Sequence, residues 1–279
     1  MNVAIIGLGL IGGSMARSLK AHQLAESIIG VDQSETHRQR ALELGLVDAV
    51  DTLENVIREV DVMVLATPVD GIGRLLPDVL DRVDRQVIFD VGSTKSEIVK
   101  ACANHPKRGR FVACHPMAGT EFSGPDAAVL NLFEGKYCVI CDAEKSDRDA
   151  LECVEKIFTG IGMHLLHQDA EVHDMHAAYV SHVSHVSSIA LALTVLNKEK
   201  SEEEIFRLAS GGFRSTVRLA KSNPKTWVPI FRQNRAPLLD VLDEHITVLS
   251  SFRTALIKGD FGAIDQMMTK ANKIKSILK

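Results

Sequence analysis

The sequence predicts an α/β protein: a parallel sheet covered by helices over residues 1–168, followed by an all-helical domain over residues 169–279. Two patterns carry that expectation. Up to about residue 168, short apolar runs alternate with amphipathic segments, the rhythm of successive βαβ units. After Asp169, the residues Val172, Met175, Tyr179, Val183, Val186, Ile189, Ala190, Leu193 and Leu196 recur at helical spacing over one long stretch. A third observation, glycines at GxGxxG spacing near the N-terminus, narrows the α/β class further.

In chain order, the apolar run VAII at 3–6 reads as a buried strand, and Gly7 lets the chain turn sharply out of it. Gly9 removes a side chain where a pyrophosphate must approach the backbone, and Gly12 lets the next helix pack closely on the strand. Leu10 and Ile11, between these glycines, complete the expected phosphate-binding turn, where helix amides and the helix dipole favour an anion. A glycine-rich turn in some other α/β protein would share the bare spacing. Here a strand precedes it, a helix pattern follows, and Asp32 closes the next apolar run, IIGVD. A carboxylate there can accept hydrogen bonds from both adenosine ribose hydroxyls and repels a 2′-phosphate, so NAD is expected rather than NADP.

The pattern continues with a helix through Leu44, a strand DVMVLAT ending at Thr67 and Pro68, and a helix over 69–83. The strand QVIFDVG then runs to Ser93, a helix covers 96–103, and further strands fall at RFVACHP, KYCVICD and MHLLHQ. Ligands of such sheets bind beyond the carboxyl ends of the strands. Gly7, Asp32, Thr67, Pro68, Ser93 and His115 are therefore the positions at which to look for chemistry. In the second half, helices are expected over 202–209, 226–233, 238–258 and 261–278, separated by Gly211-Gly212, Asn223-Pro224 and Gly259-Asp260. Helices so rich in Leu, Ile and Val in a domain this small point to a face buried against a second copy; a self-contained bundle is the alternative.

Composition excludes several classes. A net charge of −4 gives no general attraction to nucleic acid or to an anionic membrane, and 46% hydrophobic with 24% charged residues is ordinary for a globular protein. No uninterrupted apolar stretch approaches the ~20 residues of a membrane span. The N-terminal apolar run lacks the basic lead of a signal sequence, so a cytoplasmic location is expected. Five cysteines form no disulfide framework, and the CxxC of Cys138 and Cys141 lies in a segment that reads as a packed strand.

Ser93 and His115 stand at neighbouring strand ends, within plausible reach of each other and of a nicotinamide. A histidine with a free ring nitrogen can take the proton of a substrate hydroxyl as hydride leaves, and a serine beside it can fix the imidazole or hold the same hydroxyl. By itself, His115 also reads as a strand-end histidine capped by backbone. Histidines 164, 167, 173, 176, 182 and 185 crowd one region with HxxH spacings. Zinc can be held that way, but without an HExxH pattern they read as helix-face and pocket histidines, and no metal is expected.

Taken together, GLGLIGGS (7–14), ATP (66–68), DVGSTK (90–95), HPMAGTEFSG (115–124), HD (173–174), SHVSH (181–185) and GGFRSTVRLAKSNPKTW (211–227) resemble the prephenate and arogenate dehydrogenase family of tyrosine biosynthesis. The resemblance spans essentially the whole chain. It implies a Rossmann domain followed by a helical dimerisation domain, and hence a homodimer. It makes His115 the catalytic histidine bonded to the ring hydroxyl, with Ser93 its partner. His185 and Arg218 are assigned to substrate binding, Arg214 lies near the substrate side chain, and Thr120 lines the same pocket. The implied reaction is the NAD-dependent oxidative decarboxylation of prephenate to 4-hydroxyphenylpyruvate, driven by aromatisation. A fixed guanidinium suits a dianionic substrate, because it binds a carboxylate through two parallel hydrogen bonds.

Arogenate, which differs by an amino-acid in place of a keto-acid side chain, is the close alternative, as is an enzyme that accepts both. The sequence shows no obvious acid for an ammonium group, which favours prephenate. A non-catalytic NAD-sensing regulator is a third reading, opposed by the intact Ser93, His115 and Arg218. No room is expected for an appended chorismate mutase or regulatory domain, so tyrosine, if it inhibits, is expected to act at or near the active site.

Overall fold

A computed structural model describes residues 1–199 and 204–277. The first half folds as strand and helix in alternation: β1 (Asn2–Ile6), α1 (Leu10–Ala21), β2 (Ser27–Val31), α2 (Glu35–Glu43), β3 (Ala49–Val50), α3 (Leu53–Val56), β4 (Val62–Leu65), α4 (Val69–Arg82), β5 (Val87–Asp90) and α5 (Ser96–Ala101). Then come β6 (Phe111–Pro116), β7 (Tyr137–Cys141), α6 (Arg148–Gly160) and β8 (His164–Gln168). These strands form one sheet in the order β3-β2-β1-β4-β5-β6-β7-β8. Every pairing is parallel except β6 with β7. The first six have the 3-2-1-4-5-6 order of a doubly wound dinucleotide-binding sheet, with its switch point between β1 and β4.

Strand periodicity divides the core between two faces. Val3 and Ile5 of β1 pack with Met15, Leu19 and Phe158 under α1 and α6. Ala4 and Ile6 point the other way and pack with Ile72, Leu76 and Ile98 under α4 and α5. The seven expected strands are all present. The two-residue β3 is too short to leave a pattern in the sequence. Cys138 and Cys141 lie buried in β7 as packed strand residues, and burial pushes the Cys141 thiol well up from its ordinary value.

Helices take over after Gln168. α7 (Ala170–Ala177) continues through a single π-helical turn at residues 178–182 into α8 (Val183–Glu199). α9 (Gly211–Thr216), α10 (Pro224–Gln233), α11 (Arg235–Lys258) and α12 (Phe261–Ala271) follow. The long stretch expected after Asp169 is thus one helix with a π-turn. Two expectations need correction. Over 202–209 there is a short 3₁₀ turn at Ile205–Leu208 rather than a helix, because Glu204 precedes it without a side-chain cap and Ala209 leaves in extended conformation; residues 202 and 203 lie outside the described residues. The last helix ends at Ala271 and tightens into a 3₁₀ turn at Asn272–Ser276, and the expected end at Leu278 also lies outside them.

The two halves share a core layer. Ala170 of α7 and Ile230 of α10 are buried in the same cluster as α4 and α5, so the helical half is docked on one face of the sheet close to the carboxyl ends of β5 and β6. On the far side, Leu193 and Leu196 of α8, Val248, Leu249 and Ile257 of α11, and Phe261 and Met268 of α12 are exposed.

Candidate active site

The turn from β1 into α1 has the glycine requirements of a phosphate cradle. Gly7 has a positive φ of 105°, and a Cβ there would lie 2.6 Å from the backbone of Ala66 at the end of β4. A Cβ on Gly12 would stand 1.9 Å from the Gly7 carbonyl oxygen, so only glycine permits this approach of helix to strand. At Gly9 a Cβ would meet nothing within 4 Å. Space is therefore kept open at the helix N-terminus itself, with Leu10 and Ile11 in the first turn behind it. Across the switch point, the Thr67 Oγ1 is buried without a hydrogen-bond partner among the described residues, and Pro68 caps α4. The Asp32 carboxylate is held by the backbone N–H groups of Leu8 and Ser34, both at 2.8 Å. An open phosphate position, an orphaned hydroxyl and an oriented carboxylate together fit a dinucleotide.

Next along the sheet, the ends of β5 and β6 are tied by a buried ion pair. Lys95 contacts the Asp90 carboxylate and donates to the Cys114 carbonyl at 2.7 Å, while Asp90 accepts from the N–H groups of Gly92 and Cys114. Burial pushes the Asp90 carboxyl up, and the Lys95 charge opposes it. The pair fixes the backbone immediately before His115.

The His115 ring is buried, and its Nδ1 lies 2.8 Å from Nε2 of His173, whose Nδ1 in turn lies 2.9 Å from Asp174 Oδ1. Burial raises the Asp174 carboxyl, but hydrogen bonds from His173 and from the Ser96 and Lys95 amides outweigh it and leave the group below its ordinary value. An ionised Asp174 accepts from His173 Nδ1–H, so His173 Nε2 accepts from His115 Nδ1–H. The network thereby assigns His115 the tautomer with a free lone pair on Nε2. Burial, reinforced by the Lys95 charge, pushes His115 well below the usual histidine range, so this nitrogen is unprotonated at neutral pH. The expected partner of the imidazole, Ser93, makes no hydrogen bond to it among the described residues. The partner is His173, because α7 lies over the end of β6 and supplies the nearer acceptor.

Above the relay, the π-turn brings His182 and His185 onto Trp227 of α10. His185 stacks on the indole with centroids 3.3 Å apart and interplanar angle 25°, and His182 meets it edge-on at 5.9 Å. His185 Nδ1 faces the Ser181 carbonyl at 3.0 Å, which leaves Nε2 free. Asn234 donates to the Asp174 carbonyl and to His182 Nδ1, locking the helices together beneath the pocket. Burial lowers His185, its hydrogen bond with the Ser181 carbonyl opposes the shift, and the Arg218 charge adds to the lowering. Arg218 is half-exposed and donates to Glu121 at 2.9 Å, across from the β6–β7 loop. Thr120 is exposed beside Glu121, with its Oγ1 accepting from the Phe122 N–H. Arg214 is exposed on α9 with no ion pair among the described residues. His115 is thus held by His173, His185 by Ser181 and Trp227, and Arg218 by Glu121, while Thr120 and Arg214 stand on exposed surface.

Comparison with known proteins agrees with this geometry. The nucleotide-binding domain of prephenate dehydrogenase matches residues 15–167, and the dimerization domain of prephenate dehydrogenase matches residues 169–270. The chain belongs to the prephenate dehydrogenase family. It is 34% identical to cyclohexadienyl dehydrogenase of Zymomonas mobilis over 281 residues, covering 100% of this chain and 96% of that one. It is 33% identical to prephenate dehydrogenase of Bacillus subtilis, over 92% of this chain and 71% of the relative. The crystal structure of A. aeolicus prephenate dehydrogenase in complex with hydroxyphenyl propionate and NAD+ superimposes with a TM-score of 0.89 at 26% identity, covering 100% of this chain and 98% of that one.

Family membership gives context to two further observations. The helix over residues 170–199 is long and apolar enough by length and composition to cross a membrane, with a mean hydropathy of 1.4, but it forms part of the dimerization domain and carries the site histidines. Among the described residues no three His, Cys, Asp or Glu side chains are grouped to hold a metal ion. From the sequence His173 reads only as a helix-face or pocket histidine, Asp174, Lys95 and Glu121 stand within motifs without roles of their own, and Asn234 leaves no signal. HD beside a long apolar helix was the signal available, since two adjacent polar side chains on a buried face require partners.

Proposed function

We propose that the chain is an NAD-dependent prephenate dehydrogenase, an oxidoreductase that converts prephenate to 4-hydroxyphenylpyruvate and CO₂. The observation that supports this reading is the His115–His173–Asp174 relay, which engages His115 Nδ1 and leaves Nε2 unprotonated at the carboxyl end of β6, in the sheet that carries the dinucleotide cradle. Gly7, Gly9, Gly12, Leu10, Ile11, Thr67, Pro68 and Asp32 would hold the cofactor, and NAD+ bound there supplies the hydride acceptor.

The chain's own residues do the rest. His115 Nε2 takes the proton of the ring hydroxyl as the C–H bond at that carbon breaks, and the positive charge that develops is shared through His173 toward Asp174. Ser93, relieved of holding the imidazole, is left to hold the same hydroxyl. Arg218 exchanges Glu121 for a substrate carboxylate, and Glu121 marks where an acidic group fits. His185 offers Nε2, onto which a neighbouring substrate carboxylate draws a proton. Thr120 and Arg214, both exposed, would meet the substrate from the rim of the pocket. Loss of the ring carboxylate as CO₂ leaves the phenolate, which takes the proton back from His115 Nε2 to give the phenol; aromatisation drives the reaction, and the enzyme positions groups and shuttles one proton.

One observation favours arogenate as a second substrate. Glu121 is an acid beside the proposed carboxylate anchor, and an amino-acid side chain brings an ammonium that it can bind. Reduced-cofactor formation followed with prephenate and with arogenate, each with NAD+ and with NADP+, tests both readings. The expected result is turnover of prephenate with NAD+ and little with NADP+. A kcat/KM higher for arogenate would transfer the assignment to that substrate. No turnover in any of the four combinations would leave an NAD-sensing regulator as the better reading.

A further inference from the structure

A second crevice lies outside this site, between α5, the start of α7 and the turn after β7, with a volume of about 440 Å³. It includes none of the residues assigned above to cofactor or substrate. Its floor contains Arg108, which is 8% exposed. The guanidinium lies 5.3 Å from the centroid of the Phe111 ring and donates from Nη1 to the Phe111 carbonyl at 2.6 Å, which fixes its orientation. Nη2 is buried and has no hydrogen-bond partner among the described residues. A buried N–H on a permanently charged group is costly to leave without an acceptor, so native folds keep one where something supplies the acceptor.

The remaining walls specify what that is. Lys100 and Lys145 line the crevice from exposed positions, and among the described residues their ion pairs are with Glu97 at 3.5 Å and Glu144 at 3.9 Å, contacts weak enough to exchange for a ligand. The N-terminus of α7 adds the positive end of a helix dipole. Of the carboxylates present, Asp142 already accepts from the Ala170 N–H and caps that helix. Asp169 and Glu171 are exposed at its start, free to turn into solvent. The planar fork of Arg108 matches a carboxylate or phosphate group.

We propose that this crevice is a second ligand site that binds a small anion, through a phosphate or carboxylate group seated on Arg108 and closed over by Lys100 and Lys145. It backs onto the relay: Ser96, whose side is in the crevice, holds Asp174 through its backbone N–H at 2.9 Å.

Thermal unfolding tests the site directly, with the protein saturated with NAD+ so that the dinucleotide cradle is occupied. Inorganic phosphate and malonate are titrated separately against sodium chloride of equal ionic strength. The expected result is a saturable rise in melting temperature of a few degrees with one or both, half-complete in the millimolar range, the more effective anion telling phosphate from carboxylate. The rise should vanish in a Lys100→Ala/Lys145→Ala double variant, whose exposed substitutions leave the anion-free melting temperature unchanged. Arg108→Lys, which keeps the charge and removes the fork, should weaken the anion response about tenfold. No rise beyond that of sodium chloride, or an equal rise in the double lysine variant, would overturn the proposal.

Discussion

His115 derives its proposed role from its neighbours. Replacing it with Asn keeps a polar side chain but removes the proton acceptor, and kcat should fall by about 10²- to 10⁴-fold with little change in KM. Asp174→Asn acts at one remove. It loses the charge that sets the tautomers of both rings, so kcat should fall about 10- to 100-fold and the acid limb of the pH–rate profile should move, a shift that mere loss of packing would not cause. Arg218→Ala should instead raise KM by about 10- to 100-fold, the loss of one or two charge-assisted hydrogen bonds; an unchanged KM would remove Arg218 from the substrate site. The histidines also set a pH dependence for stability. Burial pushes His182 down to about 4 and lowers His115 in the same direction, so between there and the ordinary value of 6.5 the unfolded chain binds protons that the folded chain does not. Stability is therefore full above that ordinary value and falls as the solution is acidified below it. A melting temperature that stays level from neutral pH to about pH 5 would contradict this.

Individual elements owe their geometry to a few positions. The first βα unit was legible because each of its glycines answers to a separate requirement: a positive φ at Gly7, open space at Gly9, and contact with backbone at Gly12. Gly9→Ala and Gly12→Ala separate those requirements. Both should weaken NAD+ binding by an order of magnitude or more, but only Gly12→Ala should also lower thermal stability, because its Cβ meets a carbonyl that cannot move aside. Equal melting temperatures for the two variants would contradict this account. The helix from Ala170 was legible as a periodic apolar stripe, but the π-turn within it was not. One extra residue in a turn shifts His182 and His185 relative to the face that straight α-helical counting gives them, and periodicity over so long a segment is insensitive to that. A similar limit applied at Ile205–Leu208, where a short apolar run resembled a helix but formed a single 3₁₀ turn.

In the whole molecule, the helical half has two surfaces with different tasks. One packs on the sheet through Ala170 and Ile230 and carries the relay. The other leaves large apolar residues such as Leu193, Leu249 and Ile257 exposed, and exposed apolar side chains gathered on one domain mark an interaction surface. A second copy of the chain is the expected cover, in keeping with the dimerization domain that residues 169–270 match. Sedimentation at micromolar concentration should give a dimer, and Leu249→Glu with Ile257→Glu should shift it to monomer; a wild-type monomer would return the helices to the self-contained bundle.

The sequence by itself determined the alternation of strand and helix, the glycine-rich turn after the first strand, the change to helices after residue 168, and the family. Each rests on spacing along the chain, where local sterics and hydrophobic period leave a direct trace. Only the tertiary structure decided which groups act on one another. His173 instead of Ser93 holds the His115 ring, Glu121 pairs with Arg218 from 97 residues away, and Lys95 anchors the strand end before His115. Those choices depend on how α7 and α10 dock against the sheet, a matter of distances between elements that no local periodicity records.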